Sequence, residues 1–138
     1  MDRQAHWNAA YAAKSETQVS WFQEVPARSL AMINAAHPTG SVIDVGGGAS
    51  RLVDALLQAG DRDITILDIS EAALGRARTR LSGAAARVRW ICADITQWKP
   101  DRQWDVWHDR AVFHFLTEEL AQDAYIAALT AATRPGSA

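Results

Sequence analysis

Ser41-Val42-Ile43-Asp44-Val45-Gly46-Gly47-Gly48-Ala49-Ser50 is the stretch that decides the fold. Three β-branched apolar residues, Val42, Ile43 and Val45, run into three consecutive glycines, and an amphipathic segment follows at once. The pattern reads as a buried strand, a tight turn and a helix start. Glycine serves such a turn in two ways: it takes positive φ, and it allows an approach closer than a β-carbon permits. In an open α/β sheet both needs arise in the crevice beyond the carboxyl end of the first strand, where ligands bind.

Downstream, Leu52, Val53, Leu56 and Leu57 share one helical face, with Arg51, Asp54 and Gln58 on the other, and Gly60 reads as the C-terminal stop. Asp63 to Asp68 reads as a second strand ending in an acid about twenty residues beyond the glycines. Ser70 then caps a helix with Glu71 in its first turn and Ala73, Leu74, Ala77 and Leu81 inward. Val88 to Cys92 is a third strand followed by Asp94, and Trp104 to His108 a fourth followed by Asp109. Thr117 is placed to cap a last helix, with Leu120, Ala124, Ala127, Ala128 and Ala131 inward. Upstream, a helix from Pro26 carries Leu30, Ile33 and Ala36 on its inward stripe. Strands alternating with helices predict parallel βαβ units with right-handed crossovers and helices on both faces of the sheet.

The 138 residues, 49% of them hydrophobic and 22% charged, suit one compact domain and are too few for two. A net charge of -2 gives no basic field for nucleic acid or an anionic membrane. The single cysteine, Cys92, rules out an intrachain disulfide and any cysteine-built metal site, and its apolar surroundings predict a buried, chemically idle thiol. The first residues hold no apolar signal core, and no uninterrupted apolar span is long enough for a bilayer, so a cytoplasmic protein is expected.

The order of the acids separates the candidate cofactors. Dinucleotide binding wants Gly-x-Gly-x-x-Gly with a pyrophosphate at the helix N-terminus. With Gly46 and Gly48 as the first pair, the third position is Arg51, and Asp44 would sit close to the pyrophosphate. S-adenosylmethionine carries no phosphate and has an ammonium at its methionine end, so an acid beside the turn becomes favourable. Asp68 is placed to accept hydrogen bonds from both ribose hydroxyls, and Asp94 one from the adenine amino group, with Ile69 and Ile95 clamping the ring. For any one of these acids the plainer role is a turn former or helix cap. Four on one sheet edge, in this order, favour a site.

At these residues the chain resembles the class I S-adenosylmethionine-dependent methyltransferases. Val42 to Ser50 is similar to the family's first motif, Ile64 to Ser70 to its second, Cys92 to Thr96 to its third and Trp104 to Arg110 to its fourth. Within the family, Ser20-Trp21-Phe22, the glycine turn and Asp109-Arg110 are most similar to the branch of protein-lysine methyltransferases that includes the citrate synthase lysine methyltransferase. Ser50 stands where the family usually has a glycine. The family sheet has seven strands in the order 3-2-1-4-5-7-6, and the resemblance covers only 3-2-1-4. It therefore implies a Rossmann-like domain over residues 41–138, shortened after the helix that follows strand four, behind an N-terminal helical and aromatic region over residues 1–40.

Methyl transfer from a sulfonium needs proximity and orientation above all. Asp109 is the expected acceptor-facing residue, His108 a neighbour of the cofactor, and Tyr11 and Trp21 a lid over its methionine end. His114 is expected to pack beneath the last helix, and no metal site is expected. The acceptor is a small molecule or a protein. A strand four left as an open apolar edge predicts either a shortened chain or a homodimer covering that edge. Two other readings stand beside the enzyme: a binding module that needs a partner to act, and, more distantly, a nicotinamide-dependent oxidoreductase.

Overall fold

A computed structural model describes residues 25–36, 39–48, 50–58, 62–109, 112–113 and 116–138. Helix α1 (Val25–Ala36) leads into strand β1 (Val42–Val45). The chain continues through α2 (Leu52–Gln58), β2 (Ile64–Asp68), α3 (Glu71–Leu81), a 3-10 turn (Ser82–Arg87), β3 (Val88–Cys92), β4 (Val106–Asp109) and α4 (Glu119–Ala132). The four strands are parallel and lie in the order β3-β2-β1-β4, a Rossmann-like sheet.

β1 and β2 are buried along their whole length, which is why they read as continuous apolar runs with no polar alternation. The register sets Asp44 beside Ile66 on one neighbour and His108 on the other, and Val45 beside Leu67 and Asp109. Side chains alternate across the sheet, so each strand feeds two cores. Val42, Ile64, Ile66 and Val106 pack with Ile33 of α1, Leu52 and Leu56 of α2 and Leu74 of α3. Ile43, Val45 and Leu67 pack on the other face with Trp104 and with Ala121, Tyr125 and Ala128 of α4. Each buried leucine or isoleucine contributes about 1.5–3 kcal/mol of apolar transfer energy.

Local chemistry sets the ends of these elements. Ser70 Oγ accepts the Ala73 N–H at 3.1 Å and caps α3. Trp104, wholly buried, donates its indole N–H to Thr65 Oγ1 at 3.1 Å, so a buried tryptophan and a buried threonine satisfy each other across the sheet. Opposite the glycine turn, Asp105 Oδ2 accepts from the Ser41 N–H at 2.9 Å, which pins the start of β1 to β4, and Arg134 pairs with the same carboxylate. That main-chain bond and the Arg134 charge hold the Asp105 carboxyl below its ordinary value.

Several expectations are corrected here. Cys92 is exposed: β3 is an edge strand buried only at its first residue, so an apolar run there does not imply a covered thiol. On α4 the buried stripe is Ala121, Tyr125, Ala128 and Ala132, and Leu120 is 83% exposed. In an alanine-rich helix the small side chains fit either phase, and the bulk of Tyr125 decides which face turns inward. Glu118 takes the N-cap position expected for Thr117, without a side-chain cap bond. Ala36 is exposed, and Trp104 precedes β4 without belonging to it. The free edge of β4 is partly paired by the chain itself, Trp107 N–H donating to Ala138 O and Ala138 N–H to Asp105 O, both at 2.8 Å.

Candidate cofactor site

The glycine turn lies at the carboxyl end of β1 between two buried acids. Gly46 takes φ +77°, and its N–H donates to Leu67 O at 2.7 Å, which ties the turn to β2. A β-carbon at Gly47 would lie 2.2 Å from Asp44 Oδ2, and one at Gly48 would lie 2.8 Å from Asp68 Oδ2. Both glycines are therefore required by an approaching carboxylate. Ser50 Oγ accepts the Leu52 N–H at 3.0 Å and so starts α2.

Asp68 closes β2. Its Oδ2 accepts the Gly48 N–H at 2.9 Å and its Oδ1 the Ser70 N–H at 2.8 Å, so the carboxylate spans from the glycine turn to the cap of α3. Burial pushes its carboxyl from the ordinary 3.8 up to about 6, although the N–H groups of Ser70 and Gly48 favour the charged form; the nearby charge of Asp44 adds to the rise. At neutral pH it is an anion held at a cost, with main-chain donors on both oxygens.

Asp44 is 2% exposed. Its Oδ1 lies 2.8 Å from His108 Nδ1, while its Oδ2, tucked beneath Gly47, is buried with no hydrogen-bond partner. His108 Nε2 in turn lies 2.8 Å from Ser29 Oγ of α1. The register of β1 against β4 makes Asp44 and His108 cross-strand neighbours on one face, and α1 covers that face.

The other expected residues fall as follows. Asp94 Oδ1 accepts from the Thr96 N–H at 2.9 Å and the Thr96 hydroxyl at 2.7 Å, shaping the turn after β3. Ile69 is half-buried, and Ile95 is 5% exposed within the α4-side core. Asp109 organises the chain after β4: Oδ1 accepts the Val112 N–H at 2.7 Å, and Oδ2 accepts the Phe113 N–H at 3.1 Å and the Tyr125 hydroxyl. Trp107 Nε1–H donates to that same hydroxyl at 2.9 Å. Burial and the bond to Asp109 raise the Tyr125 phenol, which stays protonated. Tyr11, Trp21, His37, Gly60, Arg110 and His114 lie outside the described residues. Among the described residues no cluster of three metal-ligating side chains occurs, and no helix is long and apolar enough to cross a membrane.

Sequence reasoning missed Ser29, Val112 and Tyr125. Ser29 sits four residues before Ile33, on the same helical stripe, which was the available signal for an inward polar group. Val112 Cγ2 would lie 2.3 Å from a β-carbon at Gly46, a contact between residues 66 positions apart that no local pattern encodes.

The parallel sheet of order β3-β2-β1-β4 with its glycine turn between acids is the Rossmann-like fold of methyltransferases. Residues 42–136 match the family model described as "Methyltransferase domain", and the chain belongs to that family. It is 29% identical over 87 residues to a malonyl-[acyl-carrier protein] O-methyltransferase of Anoxybacillus flavithermus, a match covering 62% of this chain and 33% of that protein. It is similar to the solved structure of an amino pentose methyltransferase from Micromonospora echinaspora with bound S-adenosylmethionine, with TM-score 0.67 and 26% identity over 99% of this chain and 55% of that one. The fold is also that of DhpI, solved in a complex named for S-adenosylmethionine, with TM-score 0.77 and 20% identity over 99% of this chain and 64% of that one. The chain thus spans a third of the curated relative it matches and between 55% and 64% of these solved structures.

Proposed function

We propose that this chain binds S-adenosylmethionine and serves methyl transfer to a nucleophilic acceptor. The observation that carries the reading is the pair of buried carboxylates, Asp44 and Asp68, on either side of a three-glycine turn. Asp44 beside the turn repels a pyrophosphate and Arg51 replaces the third glycine, which disfavours a dinucleotide, and the two acids suit a ligand with an ammonium at one end and ribose hydroxyls at the other. The orphaned Oδ2 of Asp44 fits the ammonium, Asp68 the ribose hydroxyls, and Gly46 to Gly48 and Ser50 the contour between them. Ile69, Asp94 and Ile95 bound the adenine end. S-adenosylmethionine, when bound, supplies a methyl group activated by its sulfonium.

The chain's own contribution is orientation and the exclusion of water. Asp109 stands at the end of β4 facing the acceptor, and its three donors hold the Val112–Phe113 turn against the glycines. His108 neighbours the methionine end, and Tyr11 and Trp21, which lie outside the described residues, are the lid candidates. The relatives' names describe an O-methyltransferase and an amino pentose methyltransferase, so an oxygen or amine acceptor is favoured. A protein lysine, indicated by Ser20 to Phe22 and Asp109-Arg110, is one such amine. The span of only part of each relative favours a second reading, in which the chain binds the cofactor but needs a further segment or partner to act. A homodimer paired along the part of the β4 edge that Ala138 does not occupy is one form of such a partner.

Calorimetric titration with S-adenosylhomocysteine and with NAD tests the proposal. Micromolar binding of the first, none of the second, and loss of binding in Asp68→Ala are expected. A folded protein that binds neither ligand refutes it. Binding without turnover on amine or hydroxyl acceptors would select the second reading.

A further inference from the structure

We propose that Ser29 and His108 are positioning residues that fix the Asp44 carboxylate for the methionine end of the cofactor. The inference rests on the assignment of Asp44 to the cofactor's ammonium. Asp44 Oδ1, a carboxylate oxygen, accepts a hydrogen bond from His108 Nδ1–H, and in the neutral ring this Nδ1–H tautomer leaves Nε2 an acceptor. The Ser29 hydroxyl must then donate to Nε2 across the 2.8 Å contact. All three side chains are thereby ordered in one direction, from α1 through β4 to β1.

The same polarity activates a serine nucleophile in hydrolytic triads. Here Ser29 is only 6% exposed and lies inside a helix, so no substrate carbonyl reaches it. The end of the relay that meets the cradle is the aspartate. Torsion about the last bond of an aspartate is broad. With Oδ1 anchored on a ring that is itself held by Ser29, that torsion is locked and Oδ2 stays beneath Gly47, where a β-carbon would come within 2.2 Å of it. Because Ser29 belongs to α1, the seating of that helix is transmitted to the cofactor cradle.

The test compares two ligands that share the adenosine thioether and differ at the methionine end: S-adenosylhomocysteine, which has the amino acid, and 5′-methylthioadenosine, which lacks it. Calorimetry on the 138-residue chain gives both affinities for Ser29→Ala, His108→Asn, His108→Gln and Asp44→Asn. Asparagine places its amide nitrogen where imidazole has Nδ1 and keeps the donor to Asp44; glutamine places its amide where imidazole has Nε2 and loses it. Ser29→Ala should weaken S-adenosylhomocysteine about threefold and His108→Gln about tenfold, as one neutral and one charge-assisted hydrogen bond imply. His108→Asn should stay within about threefold of wild type. Methylthioadenosine should bind all variants alike, which also reports that they are folded.

If Asp44→Asn binds S-adenosylhomocysteine as tightly as wild type, the cofactor assignment of Asp44 fails and the relay with it. If Asp44→Asn weakens it while Ser29→Ala and His108→Gln do not, the assignment stands and the relay is overturned. Equal loss of both ligands in Ser29→Ala, or equal behaviour of the Asn and Gln variants at 108, marks a merely structural role and also overturns it.

Discussion

Asp68→Asn should make stability less dependent on pH, and the size of the effect follows from the burial of the carboxyl. In the unfolded chain Asp68 loses its proton near 3.8; in the folded protein burial holds it until about 6. Between those values the folded state binds more protons than the unfolded one, so stability falls as pH rises through the window. The shift of about two units corresponds to about 3 kcal/mol of stability present below pH ~4 and lost above pH ~6. Asparagine keeps the shape and removes the titration, but it offers one acceptor where Gly48 N–H and Ser70 N–H now use two oxygens. Leaving one buried N–H without an acceptor costs about 1–3 kcal/mol at every pH. Wild type should therefore be the more stable protein near pH ~4, and the difference should close or reverse by pH ~7.5. Urea unfolding of both proteins across this range, compared as a difference at each pH, cancels the titration of groups common to both. A constant difference would refute the claim that burial governs this carboxyl. A buried carboxyl that lowers stability at neutral pH fits the stability cost that functional groups often carry, in keeping with the cofactor role proposed for Asp68.

Two further outcomes are expected. Gly47→Ala forces its β-carbon onto Asp44 Oδ2 and should destabilise by about 1–3 kcal/mol in chemical denaturation while abolishing S-adenosylhomocysteine binding; unchanged binding would show that the turn tolerates a side chain. Tyr125→Phe removes the hydroxyl shared by Trp107 and Asp109 and should lower stability by about 1–3 kcal/mol in the same assay, with the Val112–Phe113 turn exchanging its amide hydrogens faster.

The sequence alone determined the sheet and the identity of its carboxyl edge. The β-branched runs at Val42 and Ile64, four to five residues long and stopped by glycine or an acid, read as strands buried on both faces, and acids at Asp68 and Asp109 mark where parallel strands end, because those signals are local. Gly46 to Gly48 were legible as a turn under close approach for the same reason. Tertiary structure alone decided what approaches it. The carboxylate under Gly47 is visible locally, but its second tie runs through His108, 64 residues away, and on to Ser29, another 79. Packing also chose the phase of α4, since alanines carry too little bulk to prefer a face and Tyr125 finds its partners only when Trp107 and Asp109 are brought beside it. Cys92 reads as buried by its neighbours and is exposed because the sheet ends at β3. Periodicity records which face of an element is apolar. Which distant polar groups meet on that face depends on strand register and helix seating, and both are properties of the assembled core.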